Sequence, residues 1–312
     1  MDLSLIVATR NRAGSLSSLF DALARQQLPP GVEWEFVIVD NGSTDSTKLC
    51  ISDEQQCGRL PLAPQVEPQP GKSRALNLAM RHARGRLWLF TDDDVLPDPL
   101  WIASYLEAAR QHPARNGFAG RVLPKWMGPL PPWLHTDGEF AVPRGITNTR
   151  DFGLEPHLLP PEVIPGGVNT ALRADAAQLI GHFRVDLGPG TTNPYAEDTE
   201  FMRRFVAHHG PFWYVPQALL FHCNIPERMT KEYILRWAYE AARCQVLGLG
   251  GVDDAPRTAG VPNYLWRQAA QRSLATLIEV RPLHRLKLGL GLRTTLGQIR
   301  GYRDLRRGDT SR

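Results

Sequence analysis

At 312 residues, 42% of them apolar and 22% charged, the chain has the composition of an ordinary globular protein and room for one large domain or one domain with an appendage. No stretch approaches the roughly 20 uninterrupted apolar residues of a membrane span. The four cysteines (Cys50, Cys57, Cys223, Cys244) show neither CxxC pairing nor metal spacing, which suits a reducing cytoplasm. The formal charge of +4 is uneven: residues 281–312 carry nine Arg or Lys against Asp304 and Asp309, so this tail is strongly basic and the body slightly acidic.

The opening "MDLSLIVATR" has no basic segment ahead of an apolar one and so does not read as a secretory signal. It reads instead as a strand over 3–9, apolar throughout as expected when both faces are covered. Leu16, Leu19, Phe20 and Leu23 then make the i, i+3, i+4, i+7 stripe of an amphipathic helix. "EFVIVD" (35–40) is a second strand, and "NGSTDST" a turn that opens a helix. Leu76, Ala79, Met80 and Ala83 form a third stripe, with Gly85 expected as its C′ cap. "RLWLFT" (86–91) is the third core strand, and Asp98-Pro99 caps the next helix.

Alternating strands and helices predict an α/β, Rossmann-like, mostly parallel sheet flanked by helices. Ligands of such sheets bind beyond the carboxyl ends of the strands. Thr9-Arg10-Asn11, Asp40-Asn41 and Asp92–Asp94 all fall at that edge. Nine prolines across 123–165, with Trp126, Trp133 and Phe140 among them, predict an irregular and functional excursion over the sheet. Order returns with "PGGVNTALRADAAQLIG" (165–181), a helix opening at "AEDTEF", and the strands "FWYV" and "ALLFH". Residues 228–247 and 262–307 read as helical.

Three adjacent carboxylates at the end of a buried strand repel one another, and something must offset them. Side chains alternate along a strand, so Asp92 and Asp94 can face one way and Asp93 another. Such a pair suits a hard divalent cation, Mg²⁺ or Mn²⁺, which accepts one or two carboxylates and leaves positions for phosphate oxygens. A solvated acidic turn is the simpler alternative, disfavoured by the preceding apolar strand and by Asp40 at the neighbouring strand end.

Six segments in order, "VATRNR", "VDNGSTD", "GKSRALNLAM", "FTDDDVLPDPLW", "PGGVNTALR" and "AEDTEFMRRF", make residues 3–225 resemble the inverting family 2 glycosyltransferases of the GT-A fold. The resemblance implies a GT-A domain over 1–225, with a nucleotide-binding half (1–122) and an acceptor or catalytic half (123–225), followed by a helical basic extension (226–312). It maps the family's DxD motif on Asp92 and Asp94, with Asp94 as direct metal ligand and Asp92 nearer the ribose. Thr9, Arg10 and Asp40 are placed at the base-binding edge, and Asp93, Lys72, Arg74, Asn77, Gly167 and Asn169 with the nucleotide-sugar contacts. Gly166-Gly167 would let donor and acceptor approach the backbone closely. His222, ending "ALLFH", would complete the metal site.

The resemblance also assigns the general base. An inverting transfer needs a group that takes the proton of the attacking acceptor hydroxyl, and the family's "ED" motif matches Glu197-Asp198, with Asp198 as base. A helix N-terminus favours the carboxylate form; a plain capping role is the alternative.

The expected activity is transfer of a hexosyl or deoxyhexosyl group from a UDP- or dTDP-linked sugar to a glycan, lipid-linked or small-molecule acceptor, in cell-surface glycan or glycoconjugate synthesis. A nucleotidyltransferase would need a glycine-rich basic loop where this chain reads "TRNRAGS". A carbohydrate-binding protein that lost turnover is the other alternative, and both acidic motifs are intact. The tail spaces Leu286, Leu290, Ile299 and Leu305 among arginines, so it can lie on an anionic membrane or pack against the body or a second subunit as a homodimer; its glycines weaken the helix. Nucleic acid is not expected, because the basic residues are not interleaved with exposed aromatics. The resulting location is cytoplasmic, with room for peripheral contact at the inner membrane face.

Overall fold

The computed structural model describes residues 1–251 and 254–309; residues 252–253 and 310–312 of the expected extension lie outside them. In chain order the elements are β1 (Leu3–Thr9), α1 (Ala13–Leu23), β2 (Trp34–Asp40), α2 (Thr47–Cys57), β3 (Gln65–Val66), α3 (Lys72–His82), β4 (Leu87–Thr91), β5 (Val95–Pro97), α4 (Trp101–Gln111) and β6 (Gly117–Trp126). There follow β7 (His157–Leu158), β8 (Asn169–Arg173), α5 (Ala174–Ile180), α6 (Glu197–His209), β9 (Trp213–Asn224), α7 (Lys231–Leu249), β10 (Arg257–Thr258), β11 (Val261–Pro262), α8 (Asn263–Ile278) and α9 (Pro282–Asp309).

The main sheet runs β3-β2-β1-β4-β8-β6-β9-β5, with β7 on β9. Its first half is parallel, as the β-α-β alternation requires: β2 and β4 flank β1, and β3 follows β2. Beyond β4 the sheet turns antiparallel, through the pairs β4–β8, β8–β6, β9–β5 and β9–β7. The parallel signal ends there because the alternation of strand and helix ends there too. "WYV" and "ALLFH" belong to one continuous strand, β9, which starts after Phe212.

Alternation along the strands sorts the core onto two faces. Leu3, Leu5, Phe36, Ile38, Leu87 and Leu89 pack with Leu16, Phe20, Trp101 and Tyr105 of α1 and α4. Ile6, Val37, Val39, Trp88 and Phe90 pack with Ala75, Ala79, Phe201 and Phe205 of α3 and α6. The continuous apolar runs are therefore a consequence of burial on both faces.

Two boundary expectations are corrected. Gly85 is not a left-handed cap: α3 ends at His82, Ala83 is already extended, and the glycine serves a close approach. A Cβ on Gly85 would stand 2.3 Å from the Ser4 backbone nitrogen, and its N–H donates to Ser4 Oγ at 2.7 Å. Asp98 caps through a turn ahead of α4, its carboxylate accepting from the Leu100 N–H at 3.0 Å and its carbonyl from the Trp101 N–H at 3.0 Å.

The chain divides into two units. The sheet unit holds Met1–Lys125, Asn148–Thr191 and Glu197–Cys223. The helical unit holds Trp126–Thr147, Thr192–Ala196 and the described residues from Asn224 on. The proline-rich segment is thus shared out rather than being one excursion over the sheet. Leu134, Val142 and Ile146 join Ile234, Ala238 and Leu290 in a core of the helical unit, which accounts for the apolar residues among the prolines. The remainder returns to the sheet, where Arg150 bridges Val122 and β7 pairs β9.

The basic tail is α9, and its glycines have a packing reason. A Cβ at Gly297 would lie 2.1 Å from the Tyr239 carbonyl oxygen and one at Gly301 2.7 Å from that of Arg243, so α9 approaches α7 at backbone contact. Leu290 and Ile299 are buried, and Leu286 and Leu305 pack partly against the same cores. The apolar residues read from the tail therefore pack, wholly or in part, within the helical unit. Among the described residues no helix is long and apolar enough to cross one.

Candidate active site

The carboxyl ends of β1, β2 and β4 converge because these strands pair in register, Thr9 opposite Asp40 and Val7 opposite Thr91. Asp40 is buried. Its Oδ1 accepts from the Ser43 N–H at 3.0 Å, whereas Oδ2 accepts no hydrogen bond from any described residue and has the Lys48 ammonium 3.9 Å away. Asn11, at φ 54°, turns the chain after β1 and ties it to the next loop through Ser43 Oγ (2.9 Å) and the Thr44 N–H (2.8 Å). Asn41 accepts from the Gly71 N–H at 2.8 Å and donates to the carbonyls of Glu67 and Gln69. Gly71, at φ 139°, has a conformation open to glycine alone and delivers Lys72 at the start of α3.

The three aspartates occupy a bend between β4 and β5. Asp93 turns inward, where Thr9 Oγ1 donates to it at 2.7 Å and Arg12 Nε lies 3.7 Å away. Burial, with repulsion from Asp94 behind it, pushes the Asp93 carboxyl up to about 6. Asp92 and Asp94 face the other way, toward His222. One ligand atom from each of the three lies within 4.8 Å of the others. His222 arrives because β9 pairs with β5, setting it opposite Val95, while the Cys223 N–H donates to the Asp94 carbonyl at 2.9 Å. His222 Nε2 is 3.2 Å from Asp94 Oδ1 and 2.7 Å from the Asn148 amide. Two carboxylates and an imidazole are the donor set a divalent ion such as Mn²⁺ accepts, so the residues present fit the expected metal.

Protein cations offset part of the negative charge. Lys72 Nζ donates to Asp92 Oδ1 at 2.6 Å and stands 3.6 Å from Glu197 Oε1. Burial alone would discharge this lysine, but the charges of Asp92, Glu197 and Asp198 outweigh it and hold Lys72 protonated well above the usual lysine value. Arg12 Nη2 is 4.0 Å from Asp94.

Asp198, in the first turn of α6, is held through both oxygens: the Gly167 N–H donates to Oδ2 at 2.8 Å and the Thr199 N–H to Oδ1 at 2.7 Å. Neighbouring Glu197 is buried, and burial together with repulsion from Asp198 pushes it up to about 7 against the pull of Lys72. Because its folded value exceeds the unfolded one, the stability it adds is complete below about pH 4.5 and lost as pH rises through about 7. The loss is on the order of 3 kcal/mol. Thermal denaturation in chelator should therefore show the wild type losing stability between about pH 5 and 8, and Glu197→Gln following a flatter curve. Parallel curves would mean that Glu197 ionises as a solvated glutamate does.

Several expected contacts do other work. Asn169 donates to the carbonyls of Arg121 and Ala218 and accepts from Trp101 Nε1 and Tyr105 OH, so its amide is fully engaged in the core. Asn77 is bonded twice to the Phe183 backbone, at 2.9 and 2.8 Å. The Asn169 amide thus has all four of its hydrogen-bonding positions filled within the protein, and the Asn77 amide two of its four. Thr9 is committed to Asp93, and Asp93 to the interior. Gly166 and Gly167 face Asp198: a Cβ on either would come within 3.1 Å of its side chain, so the glycines first make room for this carboxylate. Arg10 is exposed and Arg74 half-buried. Arg12 and Asn148, unremarkable in sequence, reach the acidic cluster and His222; the one available signal was that Arg12 follows the strand end by three residues.

With this geometry in view, the chain matches the model of glycosyl transferase family 2 over residues 4–181 and belongs to that family. It is 27% identical over 139 residues to the dodecaprenyl-phosphate galacturonate synthase of Rhizobium johnstonii, covering 40% of each chain. It is 36% identical over 97 residues to the poly(ribitol-phosphate) beta-N-acetylglucosaminyltransferase TarS of Staphylococcus aureus, covering 30% of this chain and 16% of TarS. The chain thus spans about two-fifths or less of these relatives. Among solved structures, the mannosyltransferase PcManGT of Pyrobaculum calidifontis, in complex with GDP-Man and Mn²⁺, superposes with a TM-score of 0.62 at 17% identity, over 97% of this chain and 87% of that one. TarS 1-349 with UDP-GlcNAc gives a TM-score of 0.51 at 19% identity, over 100% and 92%. The fold is that of the GT-A glycosyltransferases.

Proposed function

We propose that the protein is an inverting, divalent-metal-dependent glycosyltransferase that moves a sugar from a nucleoside-diphosphate sugar to an acceptor hydroxyl. The observation that carries this reading is the meeting of two acidic centres at one half-buried lysine: Lys72 Nζ lies 2.6 Å from Asp92 of the metal-type cluster and 3.6 Å from Glu197 beside the backbone-held Asp198. Asp92, Asp94 and His222 would hold Mn²⁺ or Mg²⁺, which when bound supplies positive charge against a diphosphate leaving group. Arg12 lies close enough to the same cluster to share in that role. Asp40, with a buried oxygen free to accept, suits an N–H of the nucleotide base.

Asp198 takes the acceptor proton as the acceptor oxygen bonds to the anomeric carbon and the bond from that carbon to the diphosphate oxygen breaks. Attack from the face opposite the leaving group inverts the anomeric configuration. Nucleotide sugars are bound in the named complexes of TarS and PcManGT, UDP-GlcNAc and GDP-Man respectively, which supports that donor class here. The galacturonate synthase and TarS carry the names of a lipid-linked phosphate and a polyol phosphate polymer, which supports a role in cell-surface glycan or glycoconjugate synthesis. Incubation with UDP-, dTDP- and GDP-sugars plus Mn²⁺, followed by chromatography of the nucleotides, should show one donor cleaved to its nucleoside diphosphate and the release stopped by chelator. Binding of a donor without any cleavage would favour a carbohydrate-binding protein instead.

A further inference from the structure

We propose that the turn joining α8 to α9, with the groove beside it, is a docking surface for an anionic phospholipid bilayer. Leu274, Leu277, Ile278 and Val280 are 62%, 75%, 70% and 87% exposed, four large apolar side chains within seven residues. The other exposed large apolar side chains among the described residues stand singly or in pairs along the chain. Isolated apolar side chains on a surface are ordinary, but a contiguous group is not. This group is distinct from Leu290 and Ile299, which the helical unit buries.

Val280 also lines a groove of about 650 Å³ between the ends of α7, α8 and α9. Leu235, Leu292 and Leu296 contribute apolar lining, and Lys231, Arg285 and Arg293 the charged part, with no carboxylate among the lining residues. All three cations are exposed, and no described carboxylate pairs with them. Glu279, the acidic residue nearest in sequence, is bound to Arg281 at 2.8 Å. Lys231 Nζ stands 5.5 Å over the Trp133 ring, and its charge is not offset by any described carboxylate. An apolar prominence beside cations without acidic partners is the arrangement that inserts side chains at the acyl boundary while lipid phosphates meet the positive charge. A second copy of the chain fits less well, because a two-fold contact over this patch would set the same three cations against themselves.

The test is sedimentation of the full chain with vesicles of phosphatidylcholine alone and with about 30% phosphatidylglycerol. The wild type should partition on the order of tenfold more strongly onto the anionic vesicles, and the excess should vanish at about 1 M salt. Leu277→Asp/Ile278→Asp and Arg285→Glu/Arg293→Glu should each lower that partition roughly tenfold. All four positions are exposed, so both variants should keep the wild-type Tm. No preference for anionic vesicles, or retained binding in both variants, would overturn the proposal. So would a concentration-dependent dimer in light scattering that the Leu277→Asp/Ile278→Asp change dissolves. The assay needs no turnover, so its failure leaves the proposed transfer chemistry untouched, and loss of that chemistry leaves this result standing.

Discussion

Asp198→Asn is expected to lower kcat by roughly 10²–10⁴-fold, the usual contribution of a positioned general base, while the Kd for UDP with Mn²⁺ stays within about threefold of wild type. The carboxylate is fixed before any acceptor arrives, because the N–H groups of Gly167 and Thr199 each claim one oxygen. Two accepted hydrogen bonds leave lone pairs over, since an ionised carboxylate has about four acceptor sites. Asparagine keeps the shape and removes the basicity. Its NH₂ group must also face one of the two backbone donors, so the variant should lose on the order of 1–3 kcal/mol of stability. For that reason kcat and donor affinity are to be compared on protein shown folded at the assay temperature. Glu197 is the weaker claimant to the role of base. It is buried, and at neutral pH an acid pushed up to about 7 is only partly ionised. Wild-type turnover in Asp198→Asn would remove the base from this carboxylate, and a collapse in Glu197→Gln alone would move it to the neighbour.

What the sequence disclosed and what it concealed divide along a physical line. Apolar runs and period-3.6 stripes are local: burial on two faces wrote the runs plainly into β1, β2 and β4, and burial on one face wrote the stripes into α1 and α3. The grouping of Asp92 with Asp94 and of Asp93 apart from them also follows from short-range geometry, although the residues sit in a bend and not in a strand. The role of an amide, by contrast, depends on partners distant along the chain. Asn169 looks like a ligand contact because it follows Gly166-Gly167, yet its partners are Trp101, Tyr105, Arg121 and Ala218. Arg12 and Asn148 show the opposite failure, since Arg12 is marked only by standing three residues past β1, and nothing beside Asn148 in sequence announces the histidine it meets. The glycines of α9 show the same limit. Propensity counts them against the helix, while the backbone of α7 requires them.

Asp94→Ala should raise the Kd for UDP in the presence of Mn²⁺ by about 10²–10³-fold, the cost of removing one charged partner from a partly buried set. The Mn²⁺-dependent rise in Tm should disappear with it, because a ligand stabilises a fold only in proportion to its binding. The chelated protein should behave differently. Asp94 is one of the charges that raise Asp93, so its removal relieves repulsion within the triplet. Against that relief stands the loss of its approach to His222 at 3.2 Å and to Arg12 at 4.0 Å. The two effects oppose, and the metal-free Tm should move by no more than about 4 °C. Two measurements therefore separate a ligand from a structural acid: titration calorimetry with UDP and Mn²⁺, and thermal denaturation with and without chelator. A structural Asp94 would lower both melting curves together and leave the gap between them. His222→Ala should have the same signature as Asp94→Ala at a smaller scale, about tenfold in Kd, since an imidazole contributes no charge to the leaving diphosphate's cation beyond its lone pair. If Mn²⁺ and UDP still raise the Tm of Asp94→Ala as they do that of the wild type, the acidic bend after β4 holds no metal, and the diphosphate must be met by Lys72 and Arg12 alone.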